Sequence, residues 1–263
     1  MKKIFLFILP LFISVGVSQD VIYTTTLYND ENFTGKNSRV ESITYYKKTR
    51  NGLVKFRYEE YYKLTGNLFI KGALKDGEKD GKWIWYNENG QINSEGNYKV
   101  GKRFGKYTFY YENENRKKKL EETYKDGIKD GKSILWDESG QKRSEGIYIN
   151  GNENGLWIGW YGNGQKEYEE TYKDGIKDGK STLWDESGQK RSEGIYINGN
   201  ENGLWIGWYG NGQKEYEETY KDGIKDGKST LWDESGQKRS EETYKDGELI
   251  SDKWWDENGN LMK

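Results

Sequence analysis

Apolar positions along this chain fall in short clusters rather than long stripes. Lys82 to Tyr86 reads Lys-Trp-Ile-Trp-Tyr, and similar clusters of aromatic and β-branched residues recur, each about five positions long between polar, glycine-bearing stretches. Such segments are too short for helices and suit strands. Two turn signals separate them. One is Asn89-Gly90, recurring as Ser139-Gly140, Asn163-Gly164, Ser187-Gly188, Asn211-Gly212, Ser235-Gly236 and Asn258-Gly259. It predicts a two-residue type I′ turn with both central residues at positive φ. The other is an Asp-Gly-x-x-Asp-Gly stretch, as from Asp174 to Gly179. The predicted unit is a β-hairpin.

A two-residue turn at Asn163-Gly164 sets Gly159 opposite Tyr168. In the neighbouring unit it sets Leu135 opposite Ser144 and Asp137 opposite Lys142, so large meets small and plus meets minus. At the other end, a six-residue loop from Asn150 to Gly155 would set Ile149 against Leu156, Tyr148 against Trp157 and Ile147 against Ile158.

The hairpins repeat. Residues 121 to 168 return at 169 to 216 with one change, Ile134 becoming Thr182, and each copy is itself two units of 24 residues, polar and aromatic-rich in turn. Self-similarity at a short period marks a repeat architecture in which each unit contacts its neighbours, so a copied unit lengthens the array without disturbing it. The units read 71–94, 95–120 with two extra residues, 121–144, 145–168, 169–192, 193–216, 217–240 and 241–263, preceded by a degenerate unit at 47–70 and a lead-in at 19–46. The expected fold is all-β: an elongated, single-layer antiparallel sheet of tandem hairpins.

The one long apolar run changes the picture at the start of the chain. Lys2 and Lys3 precede Ile4 to Val17, and Gly16-Val17-Ser18 supplies small residues before Gln19. This is the pattern of a signal peptide over 1–18, and the fourteen-residue run is shorter than the roughly 20 residues needed to span a bilayer. An extracytoplasmic location is expected, with no transmembrane segment after cleavage.

Composition narrows the chemistry. The chain has no Cys and no His, which removes disulfides, Ser-His-Asp and Cys-His catalysis and thiolate zinc sites. Its Lys+Arg 42 against Asp+Glu 44 gives no net basic footprint for nucleic acid, and aromatic residues at 16% argue against disorder. No enzyme and no cofactor are expected.

Glu95-Gly96-Asn97-Tyr98-Lys99-Val100-Gly101-Lys102-Arg103-Phe104-Gly105-Lys106, followed by Tyr110-Tyr111, resembles the variant of the MORN repeat found in bacterial proteins often labelled YwqK-type antitoxin components. The resemblance covers about 47 to 263. It implies hairpin repeats in an elongated sheet and an interaction role, with no catalytic residues to carry over. Gly81 to Gln91 is also similar to the choline-binding cell-wall repeats, whose Thr-Gly-Trp continuation is missing here.

Three candidate chemistries remain. Asn150 to Gly155, repeated at Asn198 to Gly203, imitates half of a calcium loop, but position 1 lacks its carboxylate, position 12 is Tyr161, and tight turns themselves call for Asn and Gly. The pairs Glu121-Glu122, Glu169-Glu170, Glu217-Glu218 and Glu241-Glu242 would point to opposite faces of a strand and so cannot flank one substrate. The third is binding through rings. Trp157, Trp160 and Tyr161, with Trp205, Trp208 and Tyr209, are the candidate binding residues, set against the alternative that such rings pack over glycines of neighbouring strands. The expected function is a non-catalytic scaffold for a protein or envelope component, with a glycan-binding module as the alternative.

Overall fold

The computed structural model describes residues 21–27 and 40–262. The signal-peptide assignment therefore lies outside the described residues. Among the described residues every regular element is a strand, and the chain divides into two compact units between Ile128, the first residue of the ninth strand, and Lys129. The first holds β1 (Val21–Leu27), β2 (Val40–Thr49), β3 (Gly52–Tyr61), β4 (Leu68–Lys75), β5 (Glu78–Tyr86), β6 (Ile92–Lys99), β7 (Lys102–Tyr110) and β8 (Lys118–Lys125). The second holds β9 (Ile128–Trp136), β10 (Lys142–Ile149), β11 (Asn152–Trp160), β12 (Lys166–Lys173), β13 (Ile176–Trp184), β14 (Lys190–Ile197), β15 (Asn200–Trp208), β16 (Lys214–Lys221), β17 (Ile224–Trp232), β18 (Lys238–Lys245) and β19 (Glu248–Trp254).

Within each unit every strand pairs antiparallel with the next in sequence, as β4 with β5 or β12 with β13. Each unit is thus an open, single-layer ladder of hairpins, as the period and turn signals predict. Ten steps of about 4.8 Å carry the second from β9 to β19 over about 48 Å. The lead-in contains β1 and part of β2.

The turns are assigned differently from the expectation. The true two-residue turns, with both residues at positive φ, are Asp76-Gly77, Val100-Gly101, Asp126-Gly127, Asn150-Gly151, Asp174-Gly175, Asn198-Gly199, Asp222-Gly223 and Asp246-Gly247. At Asn163-Gly164 and its equivalents only the glycine has positive φ, and it closes a turn by donating Gly164 N–H to the Tyr161 carbonyl at 3.0 Å. This is a three-residue loop built on a type I turn, with glycine in the left-handed position.

The register follows from these turns. Gly159 does face Tyr168, and Leu135 faces Ser144. Lys142, however, faces Trp136 rather than Asp137, because the longer loop is compensated by a bulge one residue further on. At the other end Ile149 faces Asn152, Tyr148 faces Glu153 and Ile147 faces Asn154. The six-residue loop is absent, and a bulge between Glu145 and Ile147 accommodates Gly155 (φ 69°). The two extra residues of 95–120 sit in the long loop: Tyr111 N–H bonds the Lys117 carbonyl, where Tyr161 N–H bonds Gln165, and Arg116 at φ 45° stands where other loops have glycine.

Neighbouring turns also bond each other. Gly151, Gly175, Gly199, Gly223 and Gly247 each donate N–H to a carbonyl of an adjacent hairpin at 2.8 to 3.0 Å. On the long-loop edge, Tyr161 Oη donates to Trp184 O and Tyr209 Oη to Trp232 O, each at 2.8 Å. Nearest-neighbour contact of this kind holds a single layer together without a second sheet.

Candidate functional site

Strand alternation gives each ladder two faces with different chemistry. The first is a ring face. In the second unit Trp157 is 7% exposed and Trp205 5%, each lying over a glycine of the preceding strand. A Cβ on Gly146 would come within 2.1 Å of the Trp157 ring, and one on Gly194 within 2.2 Å of Trp205. Tyr148 and Tyr196 pack edge-on against these tryptophans, at 5.1 and 4.9 Å between centroids.

In the intervening units serine takes the tryptophan position and glutamate the glycine position, so the same space is filled by a polar cluster. Glu218 accepts from Tyr220 Oη at 2.5 Å, Lys225 Nζ at 2.6 Å and Ser229 Oγ at 3.2 Å. Glu170 has the matching set in Tyr172, Lys177 and Ser181. Burial by itself would raise the Glu218 carboxyl, but the Lys225 and Tyr220 hydrogen bonds outweigh it and hold the group below its usual range. Burial, then the glutamate hydrogen bond, push the Tyr172 and Tyr220 phenols up.

The opposite face carries lysine. Cross-strand pairs join Trp160 to Lys166, Trp184 to Lys190, Trp208 to Lys214 and Trp232 to Lys238. Each lysine also reaches the next tryptophan of the row: Lys142 Nζ is 5.8 Å from the Trp160 ring centroid, Lys166 5.6 Å from Trp184, Lys190 5.7 Å from Trp208 and Lys214 5.8 Å from Trp232. Tryptophan and lysine therefore alternate across the strands, within the distance at which a cation is attracted to a ring.

Glutamates anchor the row. Lys166 pairs with Glu169 and Lys214 with Glu217. Glu145, Glu193 and Glu241 each receive two lysines, Lys132 and Lys142, Lys180 and Lys190, Lys228 and Lys238. Hydrogen bonds from Lys238 and then Lys228 lower the Glu241 carboxyl to about 2. Next to this row, Ile147, Leu156, Ile195 and Leu204 are about half exposed.

The six candidate residues thus occupy three environments. Trp157 and Trp205 are buried on the ring face, Trp160 and Trp208 stand half-buried on the lysine face, and Tyr161 and Tyr209 tie long loops together. The adjacent glutamates do face opposite ways: Glu170 is buried among its donors while Glu169 bonds Lys166 on the other side. The lysines are the residues that reading for aromatics passed over. Their signal is a Lys six positions after each tryptophan of the 24-residue register, as in Trp160 and Lys166. Among the described residues no group of acidic side chains is placed to hold a metal ion, and no helix is long and apolar enough to cross a membrane, which leaves membrane-crossing strands unaddressed.

The profile of one family, described as MORN repeat variant, matches residues 79–99, 129–150, 153–174, 177–198, 201–222 and 225–246. From 129 onward the matched segments begin every 24 residues and run from one two-residue turn to the next. Comparison with curated proteins gives no match. Among solved structures, "Crystal Structure of TcdB2-TccC3" is 12% identical with a TM-score of 0.22, covering 87% of this chain and 16% of its own. "Crystal Structure of TcdB2-TccC3-TEV" is 12% identical with a TM-score of 0.21, covering 90% of this chain and 16% of its own. This chain spans under a fifth of either, and the likeness carries no weight at such scores. With one matched repeat in the first unit and five on successive hairpins of the second, the chain belongs to the MORN repeat variant family.

Proposed function

We propose that this protein is a non-catalytic, exported scaffold that binds a protein or cell-envelope component across the faces of its hairpin ladders. The carrying observation is the Trp–Lys–Glu row, which offers equivalent positions at every 24 residues rather than one unique cleft. A catalytic carboxylate needs an environment of its own, whereas Glu170 and Glu218 recur with the same donors. Export rests on the apolar run before Gln19.

The reading is tested by incubating envelope fractions with the full chain and with a variant lacking residues 169–216. Retention reduced in proportion to the lost hairpins supports distributed binding. Unchanged retention, or complete loss, overturns it. Export is checked by sequencing the mature N-terminus from an extracytoplasmic fraction, with Gln19 as the expected first residue.

A glycan-binding role is the second reading, favoured by the half-buried tryptophans of the lysine face.

A further inference from the structure

We infer that the lysine face of the second unit is a docking track for a linear acidic polysaccharide, laid across the strands. This rests on the second, glycan-binding reading and names the class of glycan. Charge placement is the first ground. The chain as a whole is close to neutral, Lys+Arg 42 against Asp+Glu 44, yet on this face Lys180 and Lys190 share Glu193, and one 48-residue cassette later Lys228 and Lys238 share Glu241. Each triad carries a surplus positive charge. The lysine side chains in them remain 36 to 68% exposed, so their ammonium groups stay open to a second anion.

Spacing is the second ground. Tryptophans of the row recur every two strands, about 10 Å, and the triads every four, about 19 Å. The shorter interval is close to the length of one disaccharide in an extended β-linked glycan. A chain crossing the strands meets a tryptophan at each disaccharide and a surplus cation at every second one. Rings of this kind supply apolar contact to sugars, and the lysines supply charge-assisted hydrogen bonds to uronate carboxylates.

Other occupants fit less well. A second copy would set two surplus-positive faces against each other. Nucleic acid carries a charge at every few ångströms, far denser than one surplus cation in about 19 Å. Polyphosphate offers nothing to the rings.

The experiment titrates the full chain with hyaluronan, which has one carboxylate per disaccharide, and in parallel with neutral chitin oligosaccharides, polyphosphate and single-stranded DNA. Hyaluronan alone should bind, more weakly as salt rises. The combined Lys180→Gln, Lys190→Gln, Lys228→Gln and Lys238→Gln variant should lose at least about tenfold in affinity. Glu193→Gln with Glu241→Gln should gain severalfold, because the lysines lose their internal partner. Circular dichroism checks that each variant is folded; should the lysine variant misfold, the glutamate pair decides. The inference is overturned by neutral glycan binding as tightly, by polyphosphate or DNA binding more tightly, by no effect of Glu193→Gln with Glu241→Gln, or by no binding of hyaluronan. Graded envelope retention without hyaluronan binding would leave the scaffold standing and remove this partner.

Discussion

The two units apply one hairpin frame to opposite ends. In the first, Trp83, Trp85, Tyr98 and Tyr107 form a connected cluster with centroids 5.7 to 6.4 Å apart, continued to Phe109 and Tyr124. In the second, Trp157 and Trp205 pair with Tyr148 and Tyr196, and glutamate–tyrosine–lysine–serine clusters separate the pairs. The difference lies at two coupled positions. Gly72 sits under Trp83 and Gly96 under Tyr107, in successive hairpins, whereas the second unit alternates Gly146 under Trp157 with Glu170 beside Ser181. A ring and a glycine, or a serine and a glutamate, fill the same volume. One lysine position reads out the contrast: Lys79 lies 4.3 Å from the Trp83 ring, 5.0 Å from Trp85 and 5.2 Å from Tyr98, while its counterpart Lys225 bonds Glu218.

The largest expected effect is Trp83→Ala. This side chain is 1% exposed and touches Tyr58, Trp85 and Tyr98, so its removal should cost about 3–5 kcal/mol in denaturant titration. Trp205→Ala should cost less, since it breaks one ring pair. Equal losses would erase the contrast between connected and separated rings.

Next in size is Gly194→Ala, which drives a Cβ to within 2.2 Å of Trp205 and should destabilise by about 1–3 kcal/mol. Adding Trp205→Ser should recover part of that loss, because the pair then approaches the serine-and-larger-residue combination of adjacent units. Additive losses in this double-mutant cycle would show that the two positions are not coupled.

The lysine-face ion pairs and the glutamate–tyrosine hydrogen bonds make the second unit sensitive to pH. Glu241 falls from a usual 4.5 to about 2, so its contribution is complete above about 4.5 and is lost as pH drops towards 2. Tyr244, hydrogen-bonded to Glu242, is pushed up from 10.0 to about 12; its neutral form stabilises fully below 10, and that contribution disappears as pH rises to about 12. Circular dichroism across both windows should show Glu241→Gln flattening the acid limb alone. An unchanged acid limb would contradict the pairing.

Smaller effects belong to the turns. Val100 holds φ 48° where the other two-residue turns have Asp or Asn, so Val100→Asn should stabilise the first unit by about 1 kcal/mol. Tyr209→Phe removes one long-loop hydrogen bond and should cost about 0.5–1.5 kcal/mol. Thermal midpoints would detect either.

Much of this fold is legible in the sequence because the period is written out in it. The Gly159 and Tyr168 pair follows from a turn dipeptide and a count, and survives because loop and bulge shift the register by compensating amounts. The turn types do not follow, since Asn-Gly suits both a type I′ turn and the end of a type I turn closed by a left-handed glycine. The division of Trp157 from Trp160 could have been read: residues three apart on a strand face opposite ways. The lysine row could not be read from composition, because its surplus charge is cancelled elsewhere and shows only when the register sets Lys180 and Lys190 on one glutamate.

Equilibrium unfolding of a variant lacking residues 169–216 tests most directly the claim that each hairpin is held by its neighbours. The deletion joins Tyr168 to Glu217, a junction already present as Tyr168-Glu169 and Tyr216-Glu217. The account predicts a folded protein with an unchanged spectrum per residue, a denaturant slope reduced with the lost surface, and lower stability. An unfolded variant, or one whose spectrum shows that the remaining strands have repacked, would contradict it.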